Sequence, residues 1–130
     1  MKIRLIAALD DKRGISKNGQ LPWKLPTDIQ YFREHIRDQV VVMGHGTLAS
    51  MGYKPFNARK NIVVTRKDVS YDGIEVISDL TMYLSSLSDD IWVIGGGQIF
   101  ELALPFATDL YITQVEGDFN CDVFFPAFHD

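Results

Sequence analysis

Residues 91–105 read IWVIGGGQIFELALP and contain the pattern that decides the fold. The run at 91–94 is short, apolar and rich in β-branched residues, which predicts a buried strand. Three glycines at 95–97 follow at once, and they open a predicted helix over 98–104 that Pro105 ends. A strand that turns directly into a helix is the repeating unit of a sheet with helices packed on it.

The same alternation of apolar strands and helical patterns continues along the 130-residue chain. It predicts an α/β fold: right-handed crossovers and a mostly parallel central sheet with helices on both faces. Ligands of such sheets bind at the carboxyl ends of the strands, so the informative residues should follow strands directly. The predicted strands are 3–9, 39–43, 61–65, 74–77, 91–94 and 110–115, and the predicted helices are 25–36, 46–51, 79–87 (with Asp79 as N-cap) and 98–104. Residues 10–24 form a long connection, and 116–130 show no clear element.

The composition is ordinary for a soluble globular protein, with 46% hydrophobic and 23% charged residues. A formal net charge of -4 argues against nucleic acid as a partner, because phosphate backbones need a surplus of Lys and Arg. The single Cys121 excludes an internal disulfide and fits a reducing cytosol. No apolar run approaches the length of a membrane span. We therefore expect one cytoplasmic domain over residues 1–130.

An acidic residue, Asp28, lies on the apolar stripe of the first predicted helix, one turn before Phe32. One interpretation is that Asp28 complements the helix dipole in the first turn, with Thr27 as a possible cap. The other is that it binds a ligand, because an inward-facing carboxylate needs a partner with two donors and no Arg or Lys shares its stripe. Long connections inside compact domains are usually either functional or disordered. The large apolar Trp23 argues against disorder, so residues 10–24 are predicted to be a functional loop.

Three segments after strands could bind phosphate groups. Glycines at 95–97 let a backbone approach a ligand closely, although a tight turn without a ligand has the same pattern. Thr47 in Gly44–Thr47 could cap a helix or contact a phosphate, and Thr65–Lys67 could be a solvated strand end. Together, on one predicted sheet edge, they favour a dinucleotide with a 2′-phosphate. Arg59 suits a ligand carboxylate, and the His and Cys residues show no metal-ligand or triad spacing.

Five segments resemble the dihydrofolate reductase family in sequence, order and spacing: LPWKLPTDIQYF, VVMGHGTLASM, ARKNIVVTR, VIGGGQIFELALP and LYITQV. The resemblance covers nearly the whole chain. It implies that hydride passes from the nicotinamide of NADPH to C6 of 7,8-dihydrofolate and yields tetrahydrofolate. It also implies a dihydrofolate reductase-like fold, NADPH as cofactor, dihydrofolate as the small-molecule substrate and no metal.

Carried over residue by residue, the resemblance implies that Asp28 pairs with the pterin 2-amino group and N3 and promotes protonation at N5. Thr113 would support that acid from a neighbouring strand, and Arg59 would bind the α-carboxylate of the substrate's glutamate. Leu21 and Trp23 complete the implied catalytic set. The implied substrate pocket consists of Ile6, Ala8, Asp28, Ile29, Phe32, Met51, Arg59, Ile94 and Thr113.

The resemblance further implies that residues 14–23 form a mobile active-site loop, which Asp122 latches, and that the Gly95–Gly96 peptide is cis. The implied cofactor contacts are Ala8, Ile15, Ser16, Gly19, Leu21, Gly44, His45, Gly46, Thr47, Thr65, Arg66, Gly95, Gly96, Gly97, Gln98, Ile99 and Phe100. Among these, the glycine triplet would hold the pyrophosphate, and Thr65 with Arg66 would contact the 2′-phosphate.

The chain departs from the family pattern at four places. Ser16 stands where Gly is frequent, His45 replaces a common Arg beside the cofactor phosphate, and Phe100 replaces a common Tyr. The family normally continues after Phe-Phe-Pro with an antiparallel hairpin of about thirty residues, whereas this sequence ends at Asp130. We expect an exposed edge at 110–115, which predicts either a less stable minimal enzyme or self-association.

Two alternatives to an active dihydrofolate reductase remain open from the sequence. One is a pterin or pyrimidine reductase of the same fold, against which Asp28 in its Leu-Pro-Trp context argues. The other is a nucleotide-binding remnant without turnover.

Overall fold

The computed structural model describes residues 1–18, 22–23 and 26–128, and for residues 26–28 it describes the backbone alone. The strands are β1 (Ile3–Leu9), β2 (Gly14–Ser16), β3 (Val40–Gly44), β4 (Lys60–Val64), β5 (Ile74–Ile77), β6 (Ile91–Gly95), β7 (Asp109–Gln114) and β8 (Val123–Phe124). The helices are α1 (Pro26–Ile36), α2 (His45–Ser50), α3 (Leu80–Leu84) and α4 (Gly97–Ala103), and a 3-10 turn follows at Leu104–Phe106. None of the described helices has the length and apolar character that crossing a membrane requires.

Six strands form the central sheet in the order β5-β4-β3-β6-β1-β7. Every neighbouring pair in it is parallel, which confirms the expected mostly parallel sheet. Because all six strands point the same way, their carboxyl ends meet along one edge of the molecule. β7 pairs with β1 and is the last strand on that side among the described residues.

The sheet is buried on both faces, as its continuous apolar strands require. Side chains alternate along β3, so Val40 and Val42 pack into one layer and Val41 and Met43 into the other. The first layer contains the buried side chains of α3 and α4, and the second contains those of α1 and α2. The expectation of helices on both faces is therefore confirmed.

Several predicted boundaries differ by one residue from the structure: β3, β4, β6, β7, α2 and α4 all begin or end one position away from the prediction. The prediction of a helix through Leu87 was wrong, because α3 ends at Leu84. The hydroxyls of Ser85 and Ser86 both donate to the Met82 carbonyl, and such local bonds compete with helix continuation. Asp79 is the predicted N-cap, since its Oδ1 accepts from the Met82 N–H at 3.0 Å.

The two segments predicted to lack regular structure contain a second, small sheet. β2 lies within the connection 10–24 and pairs antiparallel with β8, within the last fifteen residues. Those two expectations were therefore wrong. The strands are only three and two residues long, and their pairing joins positions more than 100 residues apart, so no local periodicity marks them.

Candidate active site

The carboxyl end of β6 lies at a reversal in the winding of the sheet. β6 is followed by α4 on one face, while its neighbours β3 and β1 are followed by α2 and α1 on the other face. Helices that leave in opposite directions from adjacent parallel strands open a crevice between them, and this is where such sheets bind ligands. The predicted phosphate contacts directly follow β3, β4 and β6 at this edge of the sheet, whereas Arg59 precedes β4 and lies at its opposite end.

Two glycine turns converge at the crevice. A Cβ added to Gly44 would lie 2.8 Å from Ile99 Cγ1 and 3.6 Å from the Gly96 nitrogen. A Cβ on Gly95 or Gly96 would lie 3.6 or 3.7 Å from the Thr47 hydroxyl oxygen. The Gly95–Gly96 peptide bond is cis, as the resemblance implies, and Gly95 has a φ of +127° that only glycine adopts readily. The structure therefore brings the predicted residues after β3 and β6 into one cradle of backbone and hydroxyl groups.

The third glycine of the triplet contacts the small sheet. A Cβ on Gly97 would lie 2.6 Å from Val123 Cγ1 and 3.8 Å from Ile15 Cδ1. Ile15 is itself buried in the core layer beneath α4. The predicted active-site loop thus packs against the start of α4 through β2 and β8, directly beside the cradle.

The predicted contacts at α4 differ in accessibility. Gln98 is exposed, whereas Ile99 and Phe100 are buried in the core layer. The Phe100 ring packs on Phe125 with centroids 4.8 Å apart, and its edge lies 3.4 Å from a Cβ built on Gly95. Phe100 therefore supports the cradle from behind.

The predicted 2′-phosphate contacts follow β4, at the same sheet edge. Thr65 is half-buried and its hydroxyl accepts from the Lys67 N–H at 3.2 Å, while Arg66 is exposed. His45, at the neighbouring end of β3, is held by a hydrogen bond of 2.9 Å between its Nε2 and the Tyr71 hydroxyl. The Tyr71 ring stacks on Tyr53 at 5.3 Å. His45, which stands where the family commonly has Arg, therefore packs in an aromatic cluster with Tyr53 and Tyr71.

Predicted substrate-pocket residues share the sheet face that α1 covers. Ile6 and Ile94 belong to this layer, and Ala8 lies opposite Thr113 in the β1–β7 register, two residues beyond Ile6 and on the same face. From α1, Phe32 packs edge-on against Phe56 at 5.7 Å. Ile29 and Met51, two large apolar residues of the predicted pocket, are exposed.

Arg59 has a protein partner in this structure. Its guanidinium forms an ion pair with Asp89, and both side chains are 53% exposed. The predicted partner of a substrate carboxylate is thus already bound to a carboxylate of the chain. A ligand at Arg59 must either share the guanidinium or displace Asp89.

Some predicted residues lie wholly or partly outside the described residues. Gly19 and Leu21 are outside them, and Asp28 is described only through its backbone, as the third residue of α1. Trp23 is buried and packs edge-on against Phe119 at 5.2 Å. Its Nε1 has no hydrogen-bond partner among the described residues.

Asp122, which the resemblance implies as the latch of the loop, forms hydrogen bonds with two of its residues. The Asp122 carboxylate accepts from the Asn18 N–H at 3.0 Å, and the Asp122 N–H donates to the Ser16 carbonyl at 3.0 Å. Gly46, another predicted cofactor contact, lies in α2, and a Cβ added to it would have no atom within 4 Å.

Asp10 is a buried acid that sequence reasoning did not single out. Burial raises its pKa, but N–H donors from Phe119, Gly14 and Lys12 and the Cys121 thiol outweigh burial and hold the pKa of Asp10 below its usual value. Burial and the Asp10 carboxylate raise the pKa of the Cys121 thiol to about 11. The available signal was an acid placed directly after a buried strand. No sequence signal links Tyr53 or Tyr71 to His45.

The comparisons with known proteins agree with this arrangement. A model of the dihydrofolate reductase family matches residues 2–130. The chain is 40% identical over 129 residues to "Dihydrofolate reductase type 3" of Salmonella typhimurium, which covers 97% of this chain and 79% of that protein. It is 38% identical over 131 residues to "Dihydrofolate reductase" of Bacillus subtilis, with coverages of 98% and 77%.

A solved structure has the same architecture. It is the dihydrofolate reductase from Enterococcus faecalis complexed with NADP(H) and RAB-propyl, which superimposes with a TM-score of 0.89 at 31% identity. The match covers 97% of this chain and 77% of that one.

Proposed function

Because the chain belongs to the dihydrofolate reductase family, we propose that it reduces 7,8-dihydrofolate to 5,6,7,8-tetrahydrofolate with NADPH. The observation that carries the proposal is the convergence of Gly44, Thr47, Gly95 and Gly96 at the carboxyl end of β6. Because glycines have no side chain, a pyrophosphate can approach the backbone of this cradle closely. When bound there, NADPH supplies the hydride that adds to C6 of the substrate.

The residues of the chain then have to hold two flat rings in contact and favour a proton at N5 of the pterin. We assign the second task to Asp28, which α1 carries above the sheet face that contains Ile6, Ile94 and Thr113. A carboxylate that accepts from the 2-amino group and N3 of the pterin raises the proton affinity of N5. The Thr113 hydroxyl is assigned to support that carboxylate.

Exclusion of water is the task of the loop over the site. Ile15 and Ser16 belong to β2 beside the cradle, and Trp23 is buried against Phe119. Together with Leu21 they form the proposed closing segment. Its position beside the cradle and the hydrogen bonds of Asp122 support this assignment.

The finer features of the proposal concern recognition and assembly. Arg59 binds the glutamate α-carboxylate of the substrate, Thr65 and Arg66 bind the 2′-phosphate of NADPH, and His45 lies beside a cofactor phosphate. We also propose a cytoplasmic location, a single domain without nucleic-acid partners, and either a monomer or a homo-oligomer that forms through the β7 edge of the sheet.

The test is NADPH oxidation with dihydrofolate for the wild type, Asp28→Asn and Glu34→Gln. Glu34 is an exposed acid on the same helix, hydrogen-bonded to Gln30, and serves as the matched control. We expect Asp28→Asn to lower kcat/KM by about 10²-fold or more and Glu34→Gln to leave it unchanged. Equal rates in Asp28→Asn and wild type would refute the role of Asp28.

The same experiment separates the alternatives. NADPH binding without turnover by the wild type would indicate a nucleotide-binding remnant. Turnover with another pterin or with a pyrimidine substrate, but not with dihydrofolate, would indicate a related reductase.

A further inference from the structure

The Asp10 carboxylate joins two segments that are far apart in the sequence. Asp10 is 1% exposed and directly follows β1. Its Oδ1 accepts from the N–H groups of Gly14 at 2.7 Å and Lys12 at 2.9 Å, and its Oδ2 accepts from the Phe119 N–H at 3.1 Å. One oxygen therefore serves the base of the proposed active-site loop, and the other serves the segment 115–122.

Further contacts run along the same seam. The Asp11 N–H donates to the Gly117 carbonyl at 2.9 Å, and the Phe125 N–H donates to the Arg13 carbonyl at 2.8 Å. A Cβ on Gly14 would lie 2.5 Å from Cys121 Cβ, so the two segments touch without a gap. By contrast, the ion pair between Lys12 and Asp118 is exposed at the surface, where such pairs contribute little.

Both segments lead directly to the proposed site. Gly14 begins β2, whose Ile15 packs beside Gly97, and Phe119 is the residue on which Trp23 rests. Asp122 holds the outer part of the loop through Asn18. The contacts between residues 10–18 and 115–125 thus include the buried Asp10 at one end and the exposed Asp122 at the other.

We propose that Asp10 is a positioning residue for the reaction: it ties residues 11–18 to the segment 115–122 and so holds β2 in place beside the glycine cradle. The inference rests on the proposed function for what binds in that cradle. Both Asp10 oxygens accept hydrogen bonds from buried N–H groups, so a side chain that presents a donor at either position would leave an N–H group unpaired. An amide in place of the carboxylate would present its NH₂ group to at least one N–H and break the link between the segments.

The test compares Asp10→Asn with Asp11→Asn, which makes the same chemical change at an adjacent, exposed acid. Hydrogen exchange of residues 11–18 and 115–122 is measured first, because it does not require turnover. We expect exchange in both segments to speed up about tenfold or more in Asp10→Asn, with the central strands unchanged, and no effect in Asp11→Asn.

Steady-state kinetics provide the functional readout. We expect kcat of Asp10→Asn to fall about tenfold, while KM for dihydrofolate changes less than about threefold, because the pocket under α1 is untouched. A merely destabilised protein would instead lose active fraction in proportion to its unfolding, which circular dichroism of the same sample measures. Wild-type kcat in a folded Asp10→Asn would overturn the proposal.

A second variant covers the case in which Asp10→Asn does not fold. Asp10→Ser retains an oxygen that can accept from Lys12 or Gly14 and is too short to reach Phe119, so it cuts only the link between the segments. We expect the same split between kcat and KM. Failure of both variants to fold would assign Asp10 to stability alone and refute the positioning role. An inactive wild type whose loop exchange still responds to Asp10→Asn would count against the proposed function and keep the link itself.

Discussion

At the scale of single residues, a charge partner on the protein can compete with a ligand. The Arg59 guanidinium is assigned to the substrate's carboxylate, yet it is paired with Asp89 across the surface. Asp89 Oδ1 also accepts from the Asp90 N–H at 3.1 Å, which keeps the carboxylate close to the start of β6. Binding of the substrate at Arg59, as proposed, would therefore exchange one carboxylate for another.

We predict that Asp89→Asn lowers KM for dihydrofolate. Exposed pairs contribute about 0–1 kcal/mol, so the expected decrease is about twofold to fivefold, with kcat unchanged. The effect should fade at high salt and be absent for a dihydropterin that lacks the glutamate. Glu75→Gln, which removes the exposed partner of Lys60, is the control. An unchanged KM in Asp89→Asn would show that Arg59 does not exchange partners.

At the scale of elements, the start of α4 and the small sheet depend on each other. Gly97 leaves no space for a side chain, because a Cβ would lie 2.6 Å from Val123 Cγ1 and 3.4 Å from the Phe124 carbonyl oxygen. Val123 is β-branched and cannot swing away freely. The triplet therefore has two different roles: Gly95 and Gly96 belong to the proposed cofactor cradle, and Gly97 leaves room for β8.

We predict that Gly97→Ala lowers the free energy of unfolding by about 1–3 kcal/mol, as overpacking does, and weakens NADPH binding by displacing β8 and β2. Chemical denaturation and cofactor titration measure the two effects. Gly46→Ala is the stability control: Gly46 lies inside α2 with nothing within 4 Å of an added Cβ, so stability should stay equal or rise slightly. Equal stability of Gly97→Ala and wild type would contradict the packing argument.

At the scale of the whole molecule, β7 has no strand partner on its outer side among the described residues. A shallow groove of about 390 Å³ lies beside this edge, on the face opposite α1. Unpaired strand edges with apolar neighbours recruit further strands. The groove is lined by Leu104, Ala107, Thr108, Asp109, Leu110, Ala127 and Phe128.

We predict concentration-dependent self-association through this edge, measured by size-exclusion chromatography with light scattering. Leu110→Lys should shift the protein towards monomer, because a charge in the groove must be desolvated on pairing. Met82→Lys places the same charge on the exposed face of α3 and should leave association unchanged. A stable wild-type monomer at all concentrations would refute the prediction.

Many features that depend on neighbours along the chain were predictable from the sequence, although the end of α3 at Leu84 was not. Apolar runs and glycine turns predicted the parallel sheet, Asp79 predicted a cap, and a helix predicted over 25–36 corresponds to α1 at Pro26–Ile36. Because parallel strands bring their carboxyl ends together, the same reasoning predicted that Gly44–Thr47 and the glycine triplet would meet.

The contacts between residues that are remote in the sequence could be identified only in the folded structure. β2 pairs with β8, Asp10 accepts from Phe119 and Arg59 binds Asp89 across separations of 30 to more than 100 residues. Local periodicity carries no information about such partners, since they are selected by how the sheet and its loops pack. The partners of Asp10 and Arg59 therefore emerge only from the folded molecule.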